Sequence, residues 1–481
     1  MSSATTLVYA VRLRVVAKYL AQLGVVLALL TVPPCAVAFA FGEQPAAVRY
    51  LLVIAFLLAL GLPAARLPAT SHLQVNEALV IVALAFVLTP LLMSYPLMAT
   101  GLTPGEALFE AVSGVTTTGL STVAHIADQS PALWFARAWM QWYGGLGIVV
   151  LSVGLVMGHQ TAARRLVEPF SPETLASTAR TFARRMLLVY VLLTVAGIAV
   201  LWALCGDAFM AVTHVLAAVS TGGFSPYQDS LGSFGDWPLR YAVIAIAVAA
   251  AVPLSLYQRA WQHGWRALTG DVELRALLLC GLLVTGLLVL FMDNGRDSLN
   301  HALLLGFSAQ TTAGFSSLDV SALDNASKLV LIAAMLVGGG LGSTAGGLKL
   351  LRLLILLRLV QVFLWRSAMP SRAVVEPRLG GKRLSGDDLQ RAALLLILLA
   401  LVVLASWLVF VGYGHAPLDA LFEVVSATGT VGLSTGITAP DLAPELKAVL
   451  CLDMLLGRLE IIAVLVLLYP RTWFGHRTES L

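Results

Sequence analysis

The chain has 481 residues, 59% hydrophobic and 12% charged, with a mean hydropathy of +0.88. Soluble domains carry roughly 25% charged residues, so a water-soluble globule, a disordered chain and a collagen-like chain are excluded. The net charge of +4 comes without a dense basic run, which argues against nucleic acid. The four cysteines (Cys35, Cys205, Cys280, Cys451) are too dispersed for a disulfide framework or a zinc site and read as small apolar packing residues. The class is an all-α polytopic membrane protein.

A bilayer-spanning helix needs about 20 mostly apolar residues. In chain order, uncharged runs place spans near 19–42, 50–70, 78–100, 131–158, 186–206, 238–258, 276–292, 328–348, 392–413 and 446–469. Arg12, Arg14 and Lys18 precede the first run as in a signal peptide, yet the run from 19 to 42 exceeds the ~7–15 residues of a secretory apolar region. A retained helix is expected, kinked near Pro33 and Pro34. With both termini in the cytoplasm, most of the 30 Lys and Arg gather inside, around Arg164–Arg185, Arg259–Arg275 and Lys349–Arg391. Most of the 26 Asp and Glu fall outside, a bias that would concentrate cations there and that mere tolerance of acids to translocation explains nearly as well.

Between the spans lie apolar stretches too short to cross. Aligned on a glycine, they share one motif, Thr-x-Gly-[Leu/Phe]-Ser, at Thr117–Ser121, Thr221–Ser225, Thr312–Ser316 and Thr430–Ser434. The first and fourth copies also match upstream, at Phe109/Phe422, Glu110/Glu423 and Ser113/Ser426. Each copy follows a span and an acidic turn (Glu106, Asp207, Asp297, Asp419) and precedes another span. About ten helical residues cover roughly 15 Å, half the hydrocarbon thickness, so each stretch must enter from outside and turn back. Non-helical backbone at that depth is tolerated where protein buries it or where it lines a water-filled cavity. Glycine lets successive carbonyls turn to one side, and four such segments around an axis make rings that replace the hydration shell of a monovalent cation. Expected ligands are the carbonyls of Thr117, Thr118, Thr221, Gly222, Thr312, Ala313, Thr430 and Val431. Gly119, Gly223, Gly314 and Gly432 would permit the geometry.

With these motifs the chain resembles the Trk/Ktr superfamily of potassium transporters over nearly its whole length. Gln141–Ile148, the run Gly338–Lys349 and Gly457-Arg458-Leu459-Glu460 match further elements of that family, and the two spans before the first repeat are similar to its TrkH/TrkG branch. The resemblance implies two N-terminal helices (1–74) and four pseudo-repeats of helix, re-entrant pore loop and helix around a central pore, at 75–168, 169–265, 266–375 and 376–481. It also implies K⁺ as the transported ion, no organic cofactor, no enzymatic activity and a bacterial inner membrane setting in contact with lipid. A homodimer and a cytoplasmic nucleotide-binding regulatory subunit of the TrkA type are expected, with Arg164–Arg185 and Arg366–Arg391 as candidate docking segments.

Gly338–Gly347 lacks the Gly-Lys-[Ser/Thr] ending of a phosphate loop. Glycine costs a helix ~1 kcal/mol relative to alanine, so this span should break. By resemblance Gly338, Gly339, Gly340, Gly342, Gly346, Gly347 and Lys349 form a gate below the filter; close helix packing is the other reading. Arg458 sits inside a span, where charge is costly. It is either an electrostatic barrier near the ion path or half of an ion pair between repeats. Glu110 and Glu423 are expected to begin pore helices and complement their N-termini, and His214 and His301 make no metal site. With one glycine per copy, the filter is expected to separate K⁺ from Na⁺ less strictly than tetrameric potassium channels. The alternative is an H⁺- or Na⁺-coupled potassium symporter, for which only Asp453 and Glu460 stand as intramembrane carboxylates.

Overall fold

The computed structural model describes residues 10–68, 73–164, 172–292, 295, 297–370 and 376–474. Six helices among them are long and apolar enough to cross a membrane, from Leu13–Ala40 to Gly386–Gly412. Leu, Phe and Val side chains face outward along them, including Leu29, Leu188, Leu283, Leu401 and Leu408, all exposed. Water would reject such a surface and lipid accepts it.

Two N-terminal spans come first, Leu13–Ala40 and Gln44–Ala65. The former is interrupted at Thr31, where the hydroxyl donates to Leu27 O at 2.7 Å just ahead of Pro33 and Pro34. The helix is thus interrupted just ahead of those prolines, within one continuous span. A pattern of helix, short helix and helix then occurs four times. Its members are Val75–Leu97, Pro104–Val115 and Pro131–Arg164; Pro172–Cys205, Ala208–Val219 and Trp237–Ala251; Val272–Phe291, Ser298–Gln310 and Asn325–Val337; and Gly386–Gly412, Pro417–Thr428 and Pro444–Arg458.

The short helices of 12 or 13 residues reach about 18 Å and are buried inside the surrounding ring. Phe109, Val215, Leu304 and Phe422 are all essentially inaccessible. Their starts are set locally. Thr103 and Glu106 form a capping box ahead of Pro104, and Asp207 accepts from Phe209 and Met210 N–H groups. Glu110 and Glu423 lie further along these helices, in their interiors, so the N-terminal role expected of them falls to other residues.

Three outgoing helices are broken, where the sequence marks only the third. The second turns by 83° between Trp237–Ala251 and Leu254–His263, because Pro253 cannot donate and holds Val252 extended. The third stops at Val337 and resumes at Leu350. The fourth stops at Arg458 and resumes at Ile462, through Glu460 and Ile461 at φ of 53° and 61°. A two-residue hairpin, Arg378–Leu379 with Lys382–Arg383, turns through Gly380 and Gly381 within the basic segment.

The outgoing helices lie hard against the pore-helix ends. A Cβ on Gly144 would strike Val115 O, and one on Gly457 would strike Thr428 O. Gly144→Val or Gly457→Val is therefore expected to destabilise the fold by about 2–3 kcal/mol or more. The measurement is the thermal midpoint of monodisperse protein in detergent, with the open position Gly105→Ala unchanged as control.

Candidate functional site

The four pore helices end in the same way. Thr117, Thr221, Thr312 and Thr430 adopt left-handed φ of 55°, 53°, 55° and 50°. Their N–H groups bond three residues back at 3.0–3.1 Å, and the N–H of the next residue reaches five back. These longer bonds are Thr118 to Ser113 O (2.9 Å) and, at 2.8 Å, Gly222 to Ala217 O, Ala313 to Ser308 O and Val431 to Ser426 O. This two-bond helix stop is ordinarily made with glycine. A β-branched residue there is strained by roughly 1–2 kcal/mol, and strain of this kind concentrates at functional sites. Two residues later Gly119, Gly223, Gly314 and Gly432 return to left-handed φ of 95°, 79°, 71° and 96°.

These elements meet. A Cβ on Gly119 would collide with Gly222 O, on Gly223 with Ala313 O, on Gly314 with Val431 O, and on Gly432 with Thr118 O. The contacts pass from the first repeat to the second, third and fourth and back to the first, so the ring is closed. All eight candidate carbonyl residues and all four glycines are gathered in it. A cavity of about 670 Å³ opens over one face, bordered by the four glycines and by Ser121, Asp229, Ser316, Asp319 and Thr438.

The segments are braced from behind by side chains whose roles the sequence does not show. Gln141 donates from Nε2 to Gly222 O (2.5 Å) and accepts from Phe224 N–H at Oε1 (3.2 Å). Ser113 and Ser426 accept from Gly119 and Gly432 N–H at 3.0 and 3.1 Å. Glu110, wholly buried, pairs with Arg137 at 2.7 Å, and that guanidinium lies 3.8 Å over the Phe224 ring. Glu423 is equally buried and accepts from Ser434, Thr435 and Thr438. His214 meets Ser225 Oγ at 3.2 Å and His301 meets Ser317 Oγ at 2.8 Å. Among the described residues no group of three or more His, Cys, Asp or Glu is placed to hold a metal.

On the other face, the break in the third outgoing helix lies directly under the ring. Gly338, Gly342, Gly347 and Lys349 all take positive φ. Gly346 N–H donates to Thr312 Oγ1 (2.7 Å) and Gly347 N–H to Gly429 O (3.0 Å). Thr344 Oγ1 donates to Val219 O (3.1 Å), Gly340 N–H to Ala251 O (3.0 Å), and Gln310 Nε2 to Gly338 O (2.8 Å). Gly339 is packed against Ala345 and Ala251, and the buried Lys349 ammonium bonds Ala345 O. From below, Glu273 Oε2 accepts from Leu341 N–H at 2.8 Å.

Arg458 reaches this loop. It donates to Thr344 O at 2.8 Å and to Gly144 O at 3.5 Å, and among the described residues it has no carboxylate partner. Of the two sequence readings, the ion pair between repeats is not what Arg458 makes; that pair belongs to Arg352 and Glu460, at 2.5 Å. Asp453 is buried and accepts from Ser406 Oγ at 2.7 Å. Buried carboxylates are more numerous than the sequence implies, since Glu110 and Glu423 join Asp453. Of the two basic segments, Arg165 and residues 371–375 lie outside the described residues; Arg378 and Arg383 pair with Glu376 at 3.7 and 2.8 Å.

The family model TrkH, described as a cation transport protein, matches residues 47–472. The Trk system potassium uptake protein TrkH of Salmonella typhimurium is 33% identical over 392 residues, covering 77% of this chain and 80% of that protein. TrkH of Halomonas elongata is 31% identical over 495 residues, 96% and 99% of the two chains. The crystal structure of the potassium transporter TrkH from Vibrio parahaemolyticus superposes with a TM-score of 0.85 at 26% identity, covering 96% of this chain and all of that one. With four helix–pore loop–helix repeats around a central pore, this chain belongs to the TrkH family of cation transport proteins and is a membrane transporter, not an enzyme.

Proposed function

We propose that this protein takes up potassium across the cell membrane through a filter made by the Thr-x-Gly ring. The observation that carries the reading is the closed circuit of glycine–carbonyl contacts from Gly119 round to Gly432. An ion descending the axis meets backbone oxygen from every repeat: Thr117 and Thr118, Thr221 and Gly222, Thr312 and Ala313, Thr430 and Val431. Gly222 O already accepts from Gln141, but a carbonyl has a second lone pair for an ion. Such oxygens replace lost hydration water. The cavity over the ring, with Asp229 and Asp319 on its rim, gathers cations before they shed water. The relatives named above as potassium uptake proteins support K⁺ as the cargo.

The loop Gly338–Lys349 is the gate. It closes the axis under the ring, is held by Thr312, Gly429, Val219 and Arg458, and carries no regular hydrogen-bond ladder of its own. Arg458 adds a fixed positive charge beside the path. The chain divides at 1–74, 75–168, 169–265, 266–375 and 376–481, with both termini on the cytoplasmic side of a bacterial inner membrane. Two copies associate, and a cytoplasmic nucleotide-binding subunit acting on the basic segments moves the gate. Coupling to H⁺ is the second reading, favoured by the buried Asp453, whose Oδ2 has no partner among the described residues. A reversal potential that shifts with pH in proteoliposomes supports it; one that follows K⁺ alone supports passive flow.

The chain is expected to restore growth of a potassium-uptake-deficient bacterium on low potassium. Gly314→Ser, whose Cβ would collide with Val431 O, is expected to abolish that rescue while the protein still reaches the membrane. Arg458→Met removes the tether on Thr344 O. Since hydrogen bonds to charged groups contribute about 1.5–3 kcal/mol, unstimulated Rb⁺ flux in proteoliposomes should rise roughly tenfold or more.

A further inference from the structure

Behind the ring the four repeats differ at one register. Nine residues before the anchor glycines stand Glu110, His214, Leu305 and Glu423, and two residues after them stand Ser121, Ser225, Ser316 and Ser434. In the first repeat Ser121 Oγ and Thr122 N–H donate to Glu110 Oε1 at 2.7 and 3.0 Å. In the fourth, Ser434 Oγ and Thr435 N–H donate to Glu423 Oε1 at 2.6 and 2.7 Å, and Thr438 Oγ1 donates to Oε2 at 2.6 Å. In the second, Ser225 Oγ meets His214 Nε2. Leu305 offers nothing in the third, and Ser316 Oγ turns instead to Leu318 O of its own strand. The segment leaving the ring is thus pinned to its pore helix at this register in three repeats; in the third, the pin shifts to His301 of the pore helix on Ser317 Oγ.

The two carboxylates also differ. Arg137 ties Glu110 to Phe224 and Ser225 of the second repeat. Among the described residues Glu423 has hydroxyl and amide donors and no cation, so its hold is on its own strand, 434–438. Glu423 touches none of the candidate ligand carbonyls. It fixes the strand that continues directly from Val431 and Gly432.

Resting on the reading of the ring as a potassium filter, we propose that Glu423 is a positioning residue that sets the discrimination between K⁺ and Na⁺. A ring that selects by the size of its cavity keeps the larger ion favoured when its oxygens resist closing around the smaller one. Glu423 supplies that resistance in the fourth repeat through four hydrogen bonds from residues 434–438, where the third repeat has the single bond of His301 to Ser317 Oγ. Adjacent repeats share the load because Gly432 abuts Thr118 O and Val431 O abuts Gly314.

The test measures radiolabelled Rb⁺ and Na⁺ uptake by the full chain in proteoliposomes and compares their ratio, which does not depend on how much protein is inserted. Glu423→Leu gives the fourth repeat the side chain that the third carries. With several buried hydrogen bonds removed, the Rb⁺/Na⁺ ratio should fall about tenfold. Thr438→Val, which lies outside the ring and removes one donor, should lower it about threefold. A role confined to folding would reduce both fluxes and leave the ratio where it was. An unchanged ratio in the folded variants overturns the proposal, and if Glu423→Leu does not fold, the Thr438→Val ratio decides alone. A wild-type protein that fails to discriminate overturns the filter reading instead.

Discussion

The structure depends on a contact that admits no side chain. Each anchor glycine lies against the carbonyl oxygen of the neighbouring repeat so closely that even a methyl group would collide with it. This holds at Gly119, Gly223, Gly314 and Gly432 alike, and each also needs a left-handed φ that other residues adopt at a cost. The threonine two positions earlier pays no such steric toll to a neighbour but is itself strained, and its backbone ends the pore helix through two bonds. The pore helices, their buried apolar faces and the surrounding spans together hold eight left-handed residues at one level. Lipid cannot satisfy exposed peptide groups, so the ring persists only because protein encloses it on every side but the axis.

The broken third helix follows the same economy of polar groups. Where the helix gives up its internal bonds between Val337 and Leu350, the freed N–H and C=O groups find partners elsewhere in the chain: Thr312 and Glu273 of the same repeat, and Ala251, Gly429 and Arg458 of the second and fourth. These bonds are short and numerous, yet each joins the loop to a different element. Arg458 is held by carbonyl oxygens, so its charge is solvated by dipoles and not cancelled by an acid.

Much of this was legible in the residues. The fourfold Thr-x-Gly pattern gave the repeats, their length fixed the re-entrant turn, and the glycine run from Gly338 foretold a broken helix. Composition gave the membrane class. What escaped were interactions between distant parts of the chain. Nothing in the spacing shows that Gln141 serves Gly222, eighty-one positions on. Glu110 and Glu423 look like surface acids beside a turn because the strands that bury them arrive eleven to fifteen residues later. The bend after Val252 sits at Pro253, inside an apolar run that reads as a single span from 238 to 258. The break at Glu460 and Ile461 had neither proline nor glycine at those positions to announce it; the Glu460 pair with Arg352 lies across it.

Because the four walls of the ring are written in one polypeptide, they need not be identical, and here they are not. A homotetramer must accept any substitution in every quadrant at once. This chain carries a carboxylate, an imidazole, an isobutyl group and a second carboxylate at one register of its four walls. Single amino-acid changes therefore tune it in quarter steps, and its passage is lopsided by construction.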